Sequence, residues 1–309
     1  VESEYRMRAL PAAEGNNMTA YENAIEIKDV TKRYDGFTLD SISFDVPKGC
    51  IMGFIGQNGA GKTTTIRSLL HITDISSGEI KLLGLDHIKD ETAIKKRIAV
   101  VFDELPFHDV FNAKDMARIF EGMYPEWDNA AYLQYIERFQ LPMKKKIGQF
   151  SKGMKMKLQI ACALSHNAEL LVMDEATTGL DPVVRDEILH IFMEYLQNGE
   201  RSILMSSHIT SDLEKIADMV TFIDRGKILL TGCKDEIIEQ HGILKCSKDK
   251  IPEIDEEDIV SIRLNSFGAE VMVHDRENTS YKYRDCVIDP ASLDDIMLYY
   301  VHRDAKEWW

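Results

Sequence analysis

The chain has 309 residues, 44% of them hydrophobic, and a formal net charge of −15. Such a chain is long and apolar enough for one large globular unit or two smaller ones. Its acidity argues against sequence-independent nucleic-acid binding and against loose adsorption to anionic lipid, since both need a basic surface. Five scattered cysteines (Cys50, Cys162, Cys233, Cys246, Cys286) form no CxxC pair and read as a reduced, cytosolic pattern. No stretch has the roughly 18 consecutive apolar residues of a membrane span.

Residues 1–20 are polar and lack the apolar run of a signal peptide, so a disordered leader is expected there. "AIEIKDV" (24–30) and "SISFDV" (41–46) alternate apolar and polar residues, as half-buried strands do. "CIMGFI" (50–55) is apolar throughout, the mark of a strand covered on both faces. Strands are expected again at 79–84 and 98–102, with a helix at 88–97. From about 111 to 165 the pattern turns helical, and strand-like runs resume at 169–174, 202–207, 220–224 and 227–231. Strands alternating with helices imply a mainly parallel α/β sheet, here interrupted by an all-helical insert. Beyond residue 242 the character changes: an acidic, linker-like segment (251–258), two alternating runs (259–264, 269–275) and a helix (292–302) suggest a small α+β unit over 243–309.

"GQNGAGKT" (56–63) fits G-x-x-x-x-G-K-[ST] between a buried strand and an apolar-periodic helix. Gly56, Gly59 and Gly61 let the backbone turn tightly, so N–H groups of Gln57, Asn58, Ala60 and their neighbours can face phosphate oxygens. Lys62 adds a cation for the phosphates, Thr63 a hydroxyl for Mg²⁺, and Thr64 a further hydrogen-bond donor. "LLVMDE" (170–175) ends a buried strand in two acids, where an α/β sheet holds its ligands. Asp174 is placed to hold Mg²⁺, and Glu175 to act as general base towards water. An Asp-Glu pair at a strand end is common by itself; the upstream phosphate loop favours the functional reading.

Together with four further segments, these motifs resemble the nucleotide-binding subunit of an ATP-binding-cassette (ABC) transporter. "TTGLDP" (177–182) resembles the D-loop, with Asp181. "SSHITSDLEKIADMV" (206–220) resembles the switch region, with His208 as γ-phosphate sensor. "TKRYDGF" (31–37) resembles the A-loop, with Tyr34 stacking on adenine. "FSKGM" (150–154) stands where the family has LSGGQ, keeping Ser151 and Gly153 and departing at Phe150, Lys152 and Met154. Read alone, Ser151 is an ordinary helix N-cap. The resemblance implies instead that this helix N-terminus meets the γ-phosphate of ATP held by a second subunit, homomeric or heteromeric.

The implied fold is a P-loop NTPase cassette (21–242) with a mainly parallel core sheet, an N-terminal antiparallel β subdomain, an all-helical signature subdomain and a C-terminal α+β appendage. The implied cofactors are ATP and Mg²⁺, and the implied partners are separate transmembrane permease subunits, which would hold the chain at the cytoplasmic face of the membrane. The S-K-G-M spelling and the tail "VIDPASLDDIMLYYV" are similar to drug- and antimicrobial-peptide-exporter cassettes. One position departs from the family: Asp103 stands where a Q-loop Gln is expected. It is expected either to ligate the metal or, more in keeping with its shorter side chain, to bond the loop backbone. The apolar loop after it (Leu105, Pro106, Phe107, Val110, Phe111) reads equally as a staple onto the helical insert or as a groove for a permease helix. A ribosome- or nucleic-acid-acting ABC protein is the competing reading, disfavoured by the single cassette and the acidic charge; a weakly hydrolysing sensor cassette is the other.

Overall fold

The computed structural model describes residues 22–197 and 199–303 and the backbone of 307–308, so the leader expected at 1–20 lies outside the described residues. Strands β1 (Asn23–Tyr34) and β2 (Phe37–Pro47) form a long antiparallel hairpin. Its tight turn is made at Asp35-Gly36, where Gly36 takes φ +82°, a conformation that costs glycine little. β3 (Ile51–Ile55) is buried at every position and runs into the loop before α1 (Lys62–Leu69). β4 (Ser77–Leu82) and β5 (Leu85–Asp86) extend the first sheet to the order β2-β1-β4-β5. α2 (Glu91–Arg97) then leads into β6 (Ile98–Phe102).

The helical insert comprises α3 (Ala113–Met123), α4 (Asn129–Arg138) and α5 (Lys152–Leu164). Side chains define each start: Asn112 and Asp115 form a capping box on α3, and Asp128 and Ser151 cap α4 and α5. β7 (Leu170–Asp174), α6 (Pro182–Leu196), β8 (Ser202–Ser207), α7 (Thr210–Ile216), β9 (Met219–Asp224) and β10 (Lys227–Cys233) complete the central layer. The central sheet has the order β10-β9-β3-β8-β7-β6, parallel except for the β9–β10 pair. The first sheet packs on one face of it, with Phe44 stacked on Phe54 at 5.2 Å, and the helical insert, α6 and α7 build the core on the other.

The chain continues through α8 (Lys234–Gln240) into β11 (Gly242–Cys246), β12 (Ile259–Leu264), β13 (Ala269–Val273), α9 (Arg276–Lys282), β14 (Val287–Pro290), α10 (Leu293–Val301) and β15 (Glu307–Trp308). Its sheet has the order β14-β11-β13-β12-β15. The acidic segment at 251–258 is not a linker. It folds into two 3-10 turns, with Ile254 buried and the buried Asp258 held by Lys282 Nζ at 2.8 and 3.0 Å. In the loop after β6, Leu105, Phe107 and Phe111 turn inward onto the core, as the staple alternative expects, and Phe107 meets Phe120 edge-on at 5.6 Å, while Val110 stays exposed.

Candidate nucleotide site

Four neighbouring parallel strands, β3, β8, β7 and β6, deliver functional residues at their carboxyl ends, where ligands of open α/β sheets bind. β3 delivers the loop 56–63, β8 delivers His208, β7 delivers Asp174 and Glu175, and β6 delivers Asp103. A cleft of about 350 Å³ opens over the loop, lined by Gln57, Asn58, Gly59, Gly61, Lys62, Thr63 and Thr64, with Glu175 and Phe37 across from them. Gly56 and Ala60 lie beneath it. A Cβ on Gly56 would stand 2.4 Å from the Ile223 carbonyl oxygen, so only glycine fits under the loop. Gly61 is the N-cap of α1 at φ +121° and offers no side-chain cap, so the first N–H groups of the helix face the cleft with the positive end of its dipole.

Lys62 is buried, its ammonium donating to the carbonyls of Gly56 (2.6 Å) and Gln57 (3.2 Å) and pairing with Glu175 Oε1 at 3.0 Å. Glu175 takes φ +55°, a strained choice for a non-glycine residue, and its backbone N–H is anchored on Ser206. That backbone turns the carboxylate back over the loop. Oε2 accepts from the Thr178 hydroxyl at 2.8 Å and lies 2.7 Å from His208 Nδ1, which carries its hydrogen when facing an ionised carboxylate. Burial pushes the Glu175 carboxyl up, but Thr178, Lys62 and His208 outweigh it and hold the group below the ordinary carboxylate range. Asp174 is buried behind it, its Oδ1 fixed by the Ser206 hydroxyl at 2.7 Å. One serine thus orients both acids.

The other sequence candidates lie elsewhere. Tyr34 is 45% exposed under the Lys32 ammonium and does not line the cleft; the aromatic at the wall is Phe37. Ser151 caps α5 by accepting from Met154 N–H at 3.2 Å. With Lys152, Gly153, Gly179 and Asp181 it lines a second concavity of about 380 Å³ that shares no residue with the first. Asp181 caps α6 through Val184 N–H. Asp103 bonds neither the loop backbone nor a metal-binding group. Its Oδ1 accepts from Lys152 Nζ at 2.6 Å, because α5 crosses the end of β6 there. Gln159 of α5 secures the crossing by bonding both the N–H and the C=O of Phe102.

Sequence reasoning missed Phe37, Thr178, Ser206 and Gln159. Thr178 and Ser206 stood inside quoted motifs, and the spacing of Thr178 three residues after Glu175 was the available signal. Phe37 closed the quoted segment TKRYDGF, but its place at the cleft wall, like the bonds of Gln159 to Phe102, is set by non-local contacts that no local pattern shows.

The ABC transporter family profile matches residues 39–178. The bacitracin transport ATP-binding protein of Bacillus licheniformis is 36% identical over 208 residues, covering 66% of this chain and 68% of that protein. The linearmycin resistance ATP-binding protein of Bacillus subtilis is 30% identical over 260 residues, covering 82% and 83%. The chain belongs to the ATP-binding proteins of ABC transporters. A solved ATP-binding subunit of an ABC transporter superposes with a TM-score of 0.65 at 26% identity, over 70% of this chain and 92% of that one. The fold is accordingly the ABC cassette, and the chain is the ATP-binding and ATP-hydrolysing subunit of a transporter. Among the described residues no helix is long and apolar enough to cross a membrane.

Proposed function

We propose that the cleft over residues 56–64 binds ATP and that Glu175 is the general base of its hydrolysis. The observation that carries this is the contact chain Lys62–Glu175–His208, at 3.0 and 2.7 Å, beneath the N-terminus of a helix with no side-chain cap. The α1 N–H groups, Lys62 and Thr64 bind the phosphates. Phe37, at the cleft wall, supplies an apolar face for the base; Tyr34 is the sequence-favoured alternative. Glu175 stays ionised and accepts a proton from the attacking water, and His208 orients the carboxylate and senses the γ-phosphate. The donors suit Mg²⁺: the exposed Thr63 hydroxyl and the Asp174 carboxylate are hard oxygen ligands, too few for a protein-only cage, which leaves the remaining positions to phosphate and water. Bound there, the metal would offset phosphate charge.

Ser151, Gly153 and Asp181 lie in a concavity separate from the cleft, so the same chain cannot apply both to one nucleotide. A second cassette, a copy of this chain in the simplest arrangement, completes each site head to tail. The permease docks, on this reading, in an apolar groove of about 460 Å³ lined by Leu70, Ile72, Val100, Phe102, Met123 and Tyr124, with Lys95 and Lys96 at its rim. Ile72 and Met123 are more than half exposed there, an unusual cost on a free surface. The named relatives act in bacitracin transport and linearmycin resistance, which supports export of a peptide or drug-like antimicrobial at the cytoplasmic face of the membrane. No nucleic-acid partner is proposed. The test is ATPase activity and ATP binding in Lys62→Ala: wild-type turnover in that variant would overturn the assignment of the cleft.

A further inference from the structure

The C-terminal unit has no role in the nucleotide site as described, yet it is bonded to the element that carries His208. His208 leaves the end of β8, and α7 begins two residues later at Thr210. α10 packs across α7 with its own first turn against the first turn of that helix. The Thr210 hydroxyl donates to Asp294 Oδ1 at 3.3 Å, and Leu293 N–H donates to Glu214 Oε1 at 2.7 Å. Each helix thus holds the start of the other. Leu293 and Ile296, both fully buried, share one core with Leu213 and Ile216 of α7. The opposite side of α7 is tied to α6, whose cap is Asp181, through Lys215–Asp186 at 3.1 Å and Arg185–Asp212 at 3.8 Å. α7 has only seven residues, too short to define its own position without such neighbours.

We propose that the C-terminal unit positions His208: α10, through Asp294 and Leu293, fixes Thr210 and Glu214 of α7 and thereby sets the histidine on Glu175. The inference rests on the reading of His208 given above. Thr210, Glu214 and Asp294 are positioning residues, since they act through α7 and touch no nucleotide-site group themselves. A shift of α10 along α7 would move the switch histidine relative to the carboxylate, which gives the appended unit a route to the rate of hydrolysis. Among these contacts the Thr210–Asp294 bond is nearest the histidine in sequence and is removable without change of shape.

The experiment measures ATP-titrated turnover of the full chain and its unfolding temperature in Thr210→Val, Thr210→Ser, Asp294→Ala and the Thr210→Val/Asp294→Ala double variant. The expected result is a kcat lowered about three- to tenfold in Thr210→Val and Asp294→Ala, the size of one lost hydrogen bond, with the KM for ATP unchanged. Thr210→Ser, which keeps the hydroxyl, restores kcat, and the double variant is no slower than the singles. An unchanged kcat in both single variants, whatever their unfolding temperature, overturns the inference and leaves α10 as a structural support. His208→Ala, run alongside, separates the two failures. A normal kcat there overturns the role of the histidine and the inference with it; a collapsed kcat there beside normal Thr210→Val and Asp294→Ala overturns the inference alone.

Discussion

Glu175 works because its neighbours reverse what burial would do to it. Burial by itself would raise the pKa of its carboxyl; Thr178, Lys62 and His208 together hold it below the ordinary carboxylate range. Its folded-state pKa is depressed, so the associated stability is fully present above the ordinary carboxylate pKa and is lost as pH falls through the lowered value. Thr178→Val removes one hydroxyl at nearly constant shape, and the acid limb of the pH–rate profile is expected to move to higher pH. A profile superimposable on the wild type would show that Thr178 does not tune the base. Glu175→Gln cannot accept a proton from water and is expected to bind ATP with near-wild-type affinity while turning over at least a hundredfold more slowly, the scale of lost general-base catalysis at about 10²–10⁴. Asp103 belongs to a different class. Its pairing with Lys152 is nearly half exposed at both ends and contributes at most about 1 kcal/mol. Asp103→Asn is therefore expected to leave the unfolding midpoint in denaturant almost unmoved and to change basal ATPase activity only severalfold.

At the scale of elements, α5, which begins at the signature-like segment FSKGM, is pinned to the end of the edge strand β6. Gln159 satisfies both backbone groups of Phe102, which an edge strand would otherwise leave open. Gln159→Leu strands those groups beneath the helix and is expected to cost about 1–3 kcal/mol in denaturant unfolding. Ser151→Arg acts at the other end of α5. It is expected to leave ATP binding by the cleft intact and to abolish turnover, because the bulky cation blocks the helix N-terminus; equal loss of binding and turnover would argue against a contact made across an interface.

The elements legible from sequence are those whose partners are local or whose pattern is strong. The buried strand β3 read as an unbroken apolar run, β7 and β8 as shorter apolar runs (LLVM, ILM) ending in Asp174 and in Ser206-Ser207, and the phosphate loop announced itself by spacing. β11, α9 and β14 were not anticipated. Thr279 is the one fully buried residue of α9, so that helix shows no apolar stripe, and β11 is a five-residue strand defined by its pairing with β13 and β14. The partner of Asp103 was equally hidden, since Lys152 lies 49 residues away and only the crossing of α5 over β6 joins them.

On the scale of the molecule, the proposed reading makes the chain the holder of two half-sites. The cleft of the P-loop, Glu175 and His208 has the groups for phosphate binding and proton abstraction, while Ser151, Gly153 and Asp181 face a separate concavity. On that reading, pairing two cassettes head to tail would unite them, and slowing hydrolysis would hold the pair together. The most direct test is the mass of Glu175→Gln by sedimentation velocity with and without ATP and Mg²⁺. The account predicts a monomer that becomes a dimer when nucleotide is added, and no dimer when Ser151→Arg is combined with Glu175→Gln. A Glu175→Gln protein that binds ATP and still sediments as a monomer at every concentration would contradict it.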